Sequence, residues 1–264
     1  MKQLNYEEIK DLVAETIITA FSIANEKYPL PDIRKKEGND IVTVVDTFME
    51  SYIISVLKKT FPNHFFSSEE KGKAIINLTE DVYEWIIDPI DGTINFSAGL
   101  PFYTTSVSLK HNDEIVLGVI VHHSCDDIYT AVKGKGAFCN DKRIFVSNKK
   151  ELQNSVFSFM LTSHYTEEQT NKILDIVRKL SLKTRGLRLL VSQAYELALI
   201  AKGELDGTVC IKSRGFSSSA GALLVKEAGG TITDIDGNQR TNTATSLLVS
   251  NGLLHDEIVR VLKQ

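Results

Sequence analysis

Between residues 102 and 133 the chain reads as three segments in a row, FYTTSVSLK, EIVLGVIVHH and DDIYTAVKG. Each is alternating or β-branched, and polar HND and SCD separate them. That pattern predicts a meander of antiparallel strands, and such a sheet needs apolar cover. YEEIKDLVAETIITAFSIANEKY (6–28) sets Ile9, Leu12, Val13, Ile17, Ala20 and Phe21 at helical spacing and predicts a long amphipathic helix. TFMESYIISVLKKTFP (47–62) predicts a second, stopped at Pro62. HFFSSEE and YEWIIDP read as short buried strands that end in acids. Further on, EEQTNKILDIVRKL, SQAYELALIAKG and SAGALLVKEAGG read as helical, and GTVCIK and ATSLLVSN as extended, before a last helix. This alternation suits an α/β layer.

With 264 residues, the chain has room for one large domain or two closely packed halves. A soft boundary falls near 145–155. The net charge of −4 and scattered Lys and Arg give no basic face for nucleic acid, so no nucleic-acid partner is expected. The first residues, MKQLNYEEIK, are acidic where an export signal would be apolar. No apolar run approaches the ~18 residues of a membrane span. Cys125, Cys139 and Cys210 are odd in number and far apart, which argues against a disulfide framework or a zinc motif. Together these features predict a cytoplasmic protein with reduced thiols and no membrane partner.

The chemistry concentrates at EWIIDPIDGTINF (84–96), where an apolar strand runs into Asp88 and Asp91. Two carboxylates so close repel one another unless a cation or a proton lies between them. Asp46, after DIVTVV, and Glu69, after HFFSS, also end apolar runs, the place where sheets present ligand sites. Hard oxygen donors without His or Cys favour Mg²⁺ or Mn²⁺ over zinc. A pair of such ions clamps the attacking and leaving oxygens in phosphoryl hydrolysis. If Gly92 and Thr93 open a helical turn, their amides suit a phosphate. The competing reading of the pentapeptide alone is an ordinary turn capped by its two aspartates.

DPIDGTINF resembles the central signature of the inositol monophosphatase family, the Mg²⁺-dependent, lithium-sensitive phosphatases. KEGNDIVTVVD (36–46) is similar to that family's Lys-x-x-x-Asp-x-Val-Thr-x-x-Asp segment, and SEE (68–70) to its Gly-Glu-Glu. GKGAFCNDKRIFVS (134–147) resembles a family loop, and SAGALLVKEAGG (219–230) its second signature. The pieces fall in family order from about residue 36 to 250. The resemblance implies a layered αβαβα sandwich of the sugar phosphatase fold, α+β or α/β in class, and a homodimer. An N-terminal α+β half (1–148) would carry most metal ligands, and an α/β half (149–264) would contribute the substrate pocket.

By the same resemblance, Glu69, Asp88 and the Ile90 carbonyl would bind a first Mg²⁺, and Asp88 and Asp91 would share a second. Glu69 would also face a third, weaker ion. Thr93, bonded to Asp46, would position and help deprotonate the attacking water, and the amides of Gly92 and Thr93 would hold the phosphate. Lys36 would lie on a loop near the metals. Three departures stand out. Ser217 occupies the place of the remaining second-metal aspartate, so that site should be weakened. Cys210 replaces a substrate-contacting glutamate, and Val191-Ser192-Gln193 replaces a Gly-Thr-Ala pocket wall. Conversely, Lys212 and Arg214 resemble the Lys-Leu-Arg segment of archaeal-type members that also accept fructose 1,6-bisphosphate, and would suit a second anionic group.

The expected activity is therefore Mg²⁺-dependent hydrolysis of a small phosphomonoester, an inositol phosphate or a sugar phosphate, by a metal-activated water. The alternatives are a weak or inactive relative acting by ligand or protein binding, and a nucleoside 3′,5′-bisphosphate or dinucleotide phosphate substrate. His122, His123 and Cys125 read as turn residues rather than a soft-metal site, and Ser217-Ser218-Ser219 as helix N-capping.

Overall fold

The fold, taken from a computed structural model, is described for residues 5–29, 32–35, 41–72, 82–162, 164–213, 215–239 and 245–264. Lys36 and Arg214 lie outside them. Helix α1 (Tyr6–Lys27) is capped by the Asn5 side chain and buries Ile9, Val13, Ile17, Ala20 and Ala24 along one stripe. Strands β1 (Ile33–Lys35) and β2 (Ile41–Thr43) pair as an antiparallel ribbon. Helix α2 (Val44–Thr60) follows, three residues earlier than its apolar periodicity suggested. The reason is a capping box in which the Thr43 hydroxyl and the Asp46 carboxylate satisfy each other's backbone N–H groups. Asp46 therefore sits in the first turn of a helix and not at the end of a strand, which corrects the sequence reading.

Next come β3 (Phe65–Ser68), β4 (Tyr83–Asp91), the short helix α3 (Thr93–Ser97), β5 (Thr104–His111), β6 (Glu114–His122), β7 (Asp127–Val132), β8 (Gly136–Cys139) and β9 (Lys142–Ile144). The expected meander is present and continues through β8 and β9 into a seven-stranded sheet ordered as in the chain. Only the β3–β4 pair in it is parallel. The remainder is β10 (Val156–Phe159), α4 (Glu167–Ser181), β11 (Gly186–Arg188), α5 (Gln193–Ala201), β12 (Gly207–Cys210), α6 (Gly215–Glu227), β13 (Thr231–Thr233), β14 (Leu247–Ser250) and α7 (His255–Leu262). These five strands form a second sheet, ordered β11-β10-β12-β14-β13, with β10 parallel to both of its neighbours.

Three apolar cores hold the layers. Val13, Ile17, Met49 and Ile53 of α1 and α2 pack on Trp85, Ile87, Val107 and Val119 of the large sheet. Leu197, Ile200 and Leu224 of α5 and α6 fill the space between Ile120 and Tyr129 of the large sheet and Cys210 and Val249 of the small one. Ile173 and Ile176 of α4, with Ile258 and Val261 of α7, cover Phe157, Val209 and Leu248 outside. The result is the layered α+β sandwich. Each fully buried aliphatic or aromatic side chain contributes about 1.5–3 kcal/mol against exposure.

Helix α6 reaches its central position because two glycines leave room for it. A Cβ at Gly118 would stand 2.9 Å from the Ala220 Cα, and one at Gly221 would stand 2.5 Å from the Leu197 Cβ. The far end of α6 is held by Glu227, whose carboxylate accepts the Gly134 and Gly136 amides at 2.7 and 2.8 Å. Where the chain passes between sheets, buried Asp206 accepts from the Ser147 hydroxyl (2.5 Å), the Lys149 ammonium (2.8 Å) and the Val156 amide (2.6 Å).

Candidate active site

Residues three apart on a regular strand point to opposite faces. In β4 they do not. Asp88 pairs with Ser106 and Asp91 with Thr104, so three steps on β4 match two on β5, with the register shifting between the aspartates. This bulge, at Pro89-Ile90, restores Asp91 to the face that Asp88 occupies. The three-residue spacing is thus a device for aligning two carboxylates.

Asp88 is buried, and its Oδ2 accepts the Ser217 hydroxyl at 2.6 Å. Its Oδ1 is buried with no hydrogen-bond partner. Burial drives the Asp88 carboxyl well above the usual range, and the charges of Glu69 and Asp91 add to this, against the opposing Ser217 bond. Asp91 Oδ2 accepts the Ser192 hydroxyl at 2.6 Å and the Ala194 amide at 2.8 Å. Those bonds favour its charge, yet burial still pushes it up to about 6.

Beyond Asp91 the chain turns sharply. Gly92 takes φ 90°, and a Cβ there would lie 2.7 Å from the Phe102 carbonyl oxygen. Only glycine fits this turn. It delivers Thr93, whose hydroxyl faces Asp46 Oδ1 at 3.1 Å and the Ile90 carbonyl at 2.9 Å. Asp46 is oriented by its other oxygen, which accepts the Thr43 amide at 2.9 Å and the Thr43 hydroxyl at 2.5 Å. Asn95 then ties the turn to the second half, donating to the Phe102 and Leu190 carbonyls at 2.8 and 2.7 Å.

These residues border an open cleft. Of the predicted residues, Glu69, Ile90, Asp91, Gly92, Thr93, Val191, Gln193, Cys210, Lys212 and Ser217 line it. Asp46, Asp88 and Ser192 stand just behind, bonded to Thr93, Ser217 and Asp91. Ser217 lies inside α6, where its hydroxyl serves Asp88, so the N-capping expectation for it is corrected. Met160, Thr162, His164 and Tyr165 also line the cleft and were missed. They follow β10, a four-residue strand without a motif, so nothing in the sequence marked them. The Tyr165 hydroxyl meets Cys210 Sγ at 3.6 Å, and the Lys212 ammonium donates to the His164 carbonyl at 3.3 Å. His122 and His123 serve packing. His122 bonds the Pro101 carbonyl and stacks on Tyr195, and His123 bonds Thr105 and stacks on Phe21.

Among the described residues no three His, Cys, Asp or Glu side chains converge into a ready metal cage. Mg²⁺ does not require one, since it keeps several waters and takes one or two carboxylates. The unpartnered Asp88 Oδ1, set among acids that raise its pKa, is the oxygen such a cation would satisfy. The donor set of Glu69, Asp88, Asp91 and the Ile90 carbonyl, all hard oxygens, fits it.

The model of the inositol monophosphatase family matches residues 3–264. The chain belongs to the inositol monophosphatase family. Members of this family are phosphoric monoester hydrolases. A fructose-1,6-bisphosphatase/inositol-1-monophosphatase of Thermotoga maritima is 36% identical over 238 residues, covering 88% of this chain and 87% of that protein. A Nus factor SuhB of Pasteurella multocida is 32% identical over 231 residues, covering 86% of this chain and 84% of the relative. The inositol monophosphatase structure from Anabaena superposes with a TM-score of 0.86 at 28% identity, over 99% of this chain and 97% of the other. The inositol monophosphatase fold accounts for the layer order described above.

Proposed function

We propose that this chain hydrolyses the phosphate ester of a small metabolite, an inositol phosphate or a sugar phosphate such as fructose 1,6-bisphosphate, with Mg²⁺. The observation that carries the reading is the aligned pair Asp88 and Asp91, with an unpartnered buried oxygen, beside the Gly92–Thr93 turn. Glu69, Asp88, Asp91 and the Ile90 carbonyl hold the cations, two or three in number. Mg²⁺, when bound, supplies the positive charge that offsets both the acids and the phosphate.

The remaining work falls to the chain. The Gly92 and Thr93 amides hold the phosphate oxygens. The Thr93 hydroxyl gives its hydrogen to Asp46 and leaves its oxygen to accept from the attacking water. Asp46, fixed by Thr43, draws that proton away. Lys212 at the cleft mouth meets a second anionic group. Ser217 weakens the second cation site because a neutral hydroxyl stands where a charge would help, and its hydrogen engages Asp88.

Phosphate release measured against inositol 1-phosphate, fructose 1,6-bisphosphate and adenosine 3′,5′-bisphosphate over micromolar to millimolar Mg²⁺ tests this. Asp91→Asn should abolish turnover, and Ser217→Asp should lower the Mg²⁺ needed by about tenfold. Undiminished turnover in Asp91→Asn would remove the role given to that carboxylate. The rival reading is a weak relative that acts by binding. It is motivated by Ser217 and by the relative named as a Nus factor. Wild-type protein inert at every Mg²⁺ concentration, with turnover appearing only in Ser217→Asp, would favour it.

A further inference from the structure

One turn beyond Asp46, α2 carries a second carboxylate, and residues four apart share a helix face. Glu50 is 1% exposed, and α2 buries it together with Met49 and Ile53. It directs both oxygens to a single residue. Its Oε1 accepts the Lys71 amide at 3.1 Å, and its Oε2 pairs with the Lys71 ammonium at 3.3 Å. The Lys71 side chain is 55% exposed, so water also serves the ammonium. The backbone contact is the one that calls for a buried acceptor.

Lys71 belongs to the turn that presents Glu69. Two backbone bonds close that turn, from the Ser68 amide to the Gly72 carbonyl at 3.0 Å and from the Gly72 amide to the Ser68 carbonyl at 2.8 Å. Inside it, Glu69 gives its amide to the carbonyl of Ile87, the neighbour of Asp88, at 3.1 Å. The turn is thus tied to β4 at its start and to α2 at its end. The same helix holds Asp46, which faces the Thr93 hydroxyl at 3.1 Å. With about 6 Å of rise between its two carboxylates, α2 sets the Glu69 turn against the Thr93–Asp46 pair. Stability alone does not call for an acid at this position, because a buried ion pair is often no better than apolar side chains of the same size.

We propose that Glu50 is a positioning residue for the cation site: by holding the Lys71 amide it fixes the turn that carries Glu69 in register with Asp46 and Thr93. Its reach does this, not its charge. The proposal rests on the phosphatase reading for Glu69 as a cation ligand, and its test reads the cation apart from turnover.

The test measures Mg²⁺ affinity by calorimetry in wild type, Glu50→Gln, Glu50→Asp and Glu50→Met. Melts in chelator and phosphate release from inositol 1-phosphate and fructose 1,6-bisphosphate are run beside it. Glu50→Gln keeps an acceptor at the same reach and should bind Mg²⁺ within about twofold of wild type. Glu50→Asp keeps the charge but withdraws it by one methylene, and should bind about tenfold more weakly. Glu50→Met has no acceptor and should bind at least as weakly as Glu50→Asp, while melting in chelator near wild type. Glu50→Gln as weak as Glu50→Asp, or weaker, overturns the proposal, because charge and not reach would then matter. Unchanged affinity in every variant with a lowered melt makes Glu50 a structural residue only and overturns it too, as does a wild type that takes up no Mg²⁺. Should Glu50→Met fail to fold, the order of Glu50→Gln and Glu50→Asp decides alone. If the expected order of affinities appears and no protein releases phosphate, the role of Glu50 stands and the phosphatase reading fails.

Discussion

Asp88 and Asp91 ionise in each other's field and in that of Glu69, buried at the wall of the cleft. Adding a further carboxylate there has opposite effects with and without cation. Ser217→Asp would remove the hydroxyl that donates to Asp88 and add a fourth acid. The metal-free variant should therefore melt below wild type, and the Mg²⁺-loaded variant should gain more from the ion than wild type gains. Thermal melts with chelator and with Mg²⁺ read both signs. Glu196 offers a second, separate prediction. It is fully buried, with Oε2 accepting the Ser158 and Thr208 hydroxyls at 2.9 and 2.8 Å and Oε1 without a partner. Burial pushes its pKa from 4.5 up to about 7. Between those values the folded state holds a proton that the unfolded chain has released. Its stabilising effect is therefore complete below about pH 4.5 and lost as pH rises through about 7. The loss is on the order of 3 kcal/mol. Glu196→Gln stays neutral and should flatten that part of the stability–pH curve in denaturant titrations. At this scale the acids of the site were legible because charged residues rarely close an apolar run. The role of Ser217 was legible as a missing charge but not as a donor to Asp88, since that contact depends on how α6 sits.

Helix α6 shows what elements require of small residues. Its approach to β6 and α5 rests on hydrogen atoms at Gly118 and Gly221. Gly118→Ala would press a methyl group on the Ala220 backbone, which cannot rotate away, and should destabilise by about 1–3 kcal/mol. Because α6 also carries Ser217, the same variant should raise the Mg²⁺ requirement, measurable alongside its melt. Helices α1, α4 and α5 and the β5–β7 meander could be read from periodicity, which long amphipathic segments display plainly. The short strands β1, β2, β10, β11 and β13 could not. Three or four residues do not establish a period, and β10 is set in place by its parallel neighbours rather than by its own VFSF pattern. The missed cleft residues Met160, Thr162, His164 and Tyr165 follow from that gap, since they hang on the end of β10.

For the molecule as a whole, the join between the two sheets is as decisive as either core. Asp206 is fully buried and holds Ser147, Lys149 and the first amide of β10 at once. Asp206→Ala would leave the Val156 amide and the Lys149 ammonium without that acceptor and should cost about 3–5 kcal/mol in chemical denaturation. The cleft lies across the same division. Asp91 meets Ser192 across 101 residues of sequence, and Asp88 meets Ser217 across 129. On the ribosome, at about 5–20 residues per second, the aspartates of β4 emerge roughly ten seconds before the hydroxyl that will receive Asp88. Until then they face water and have nothing to align against. Birth order thus makes the cleft a late arrival, and a first turnover would announce that the whole chain has found its place.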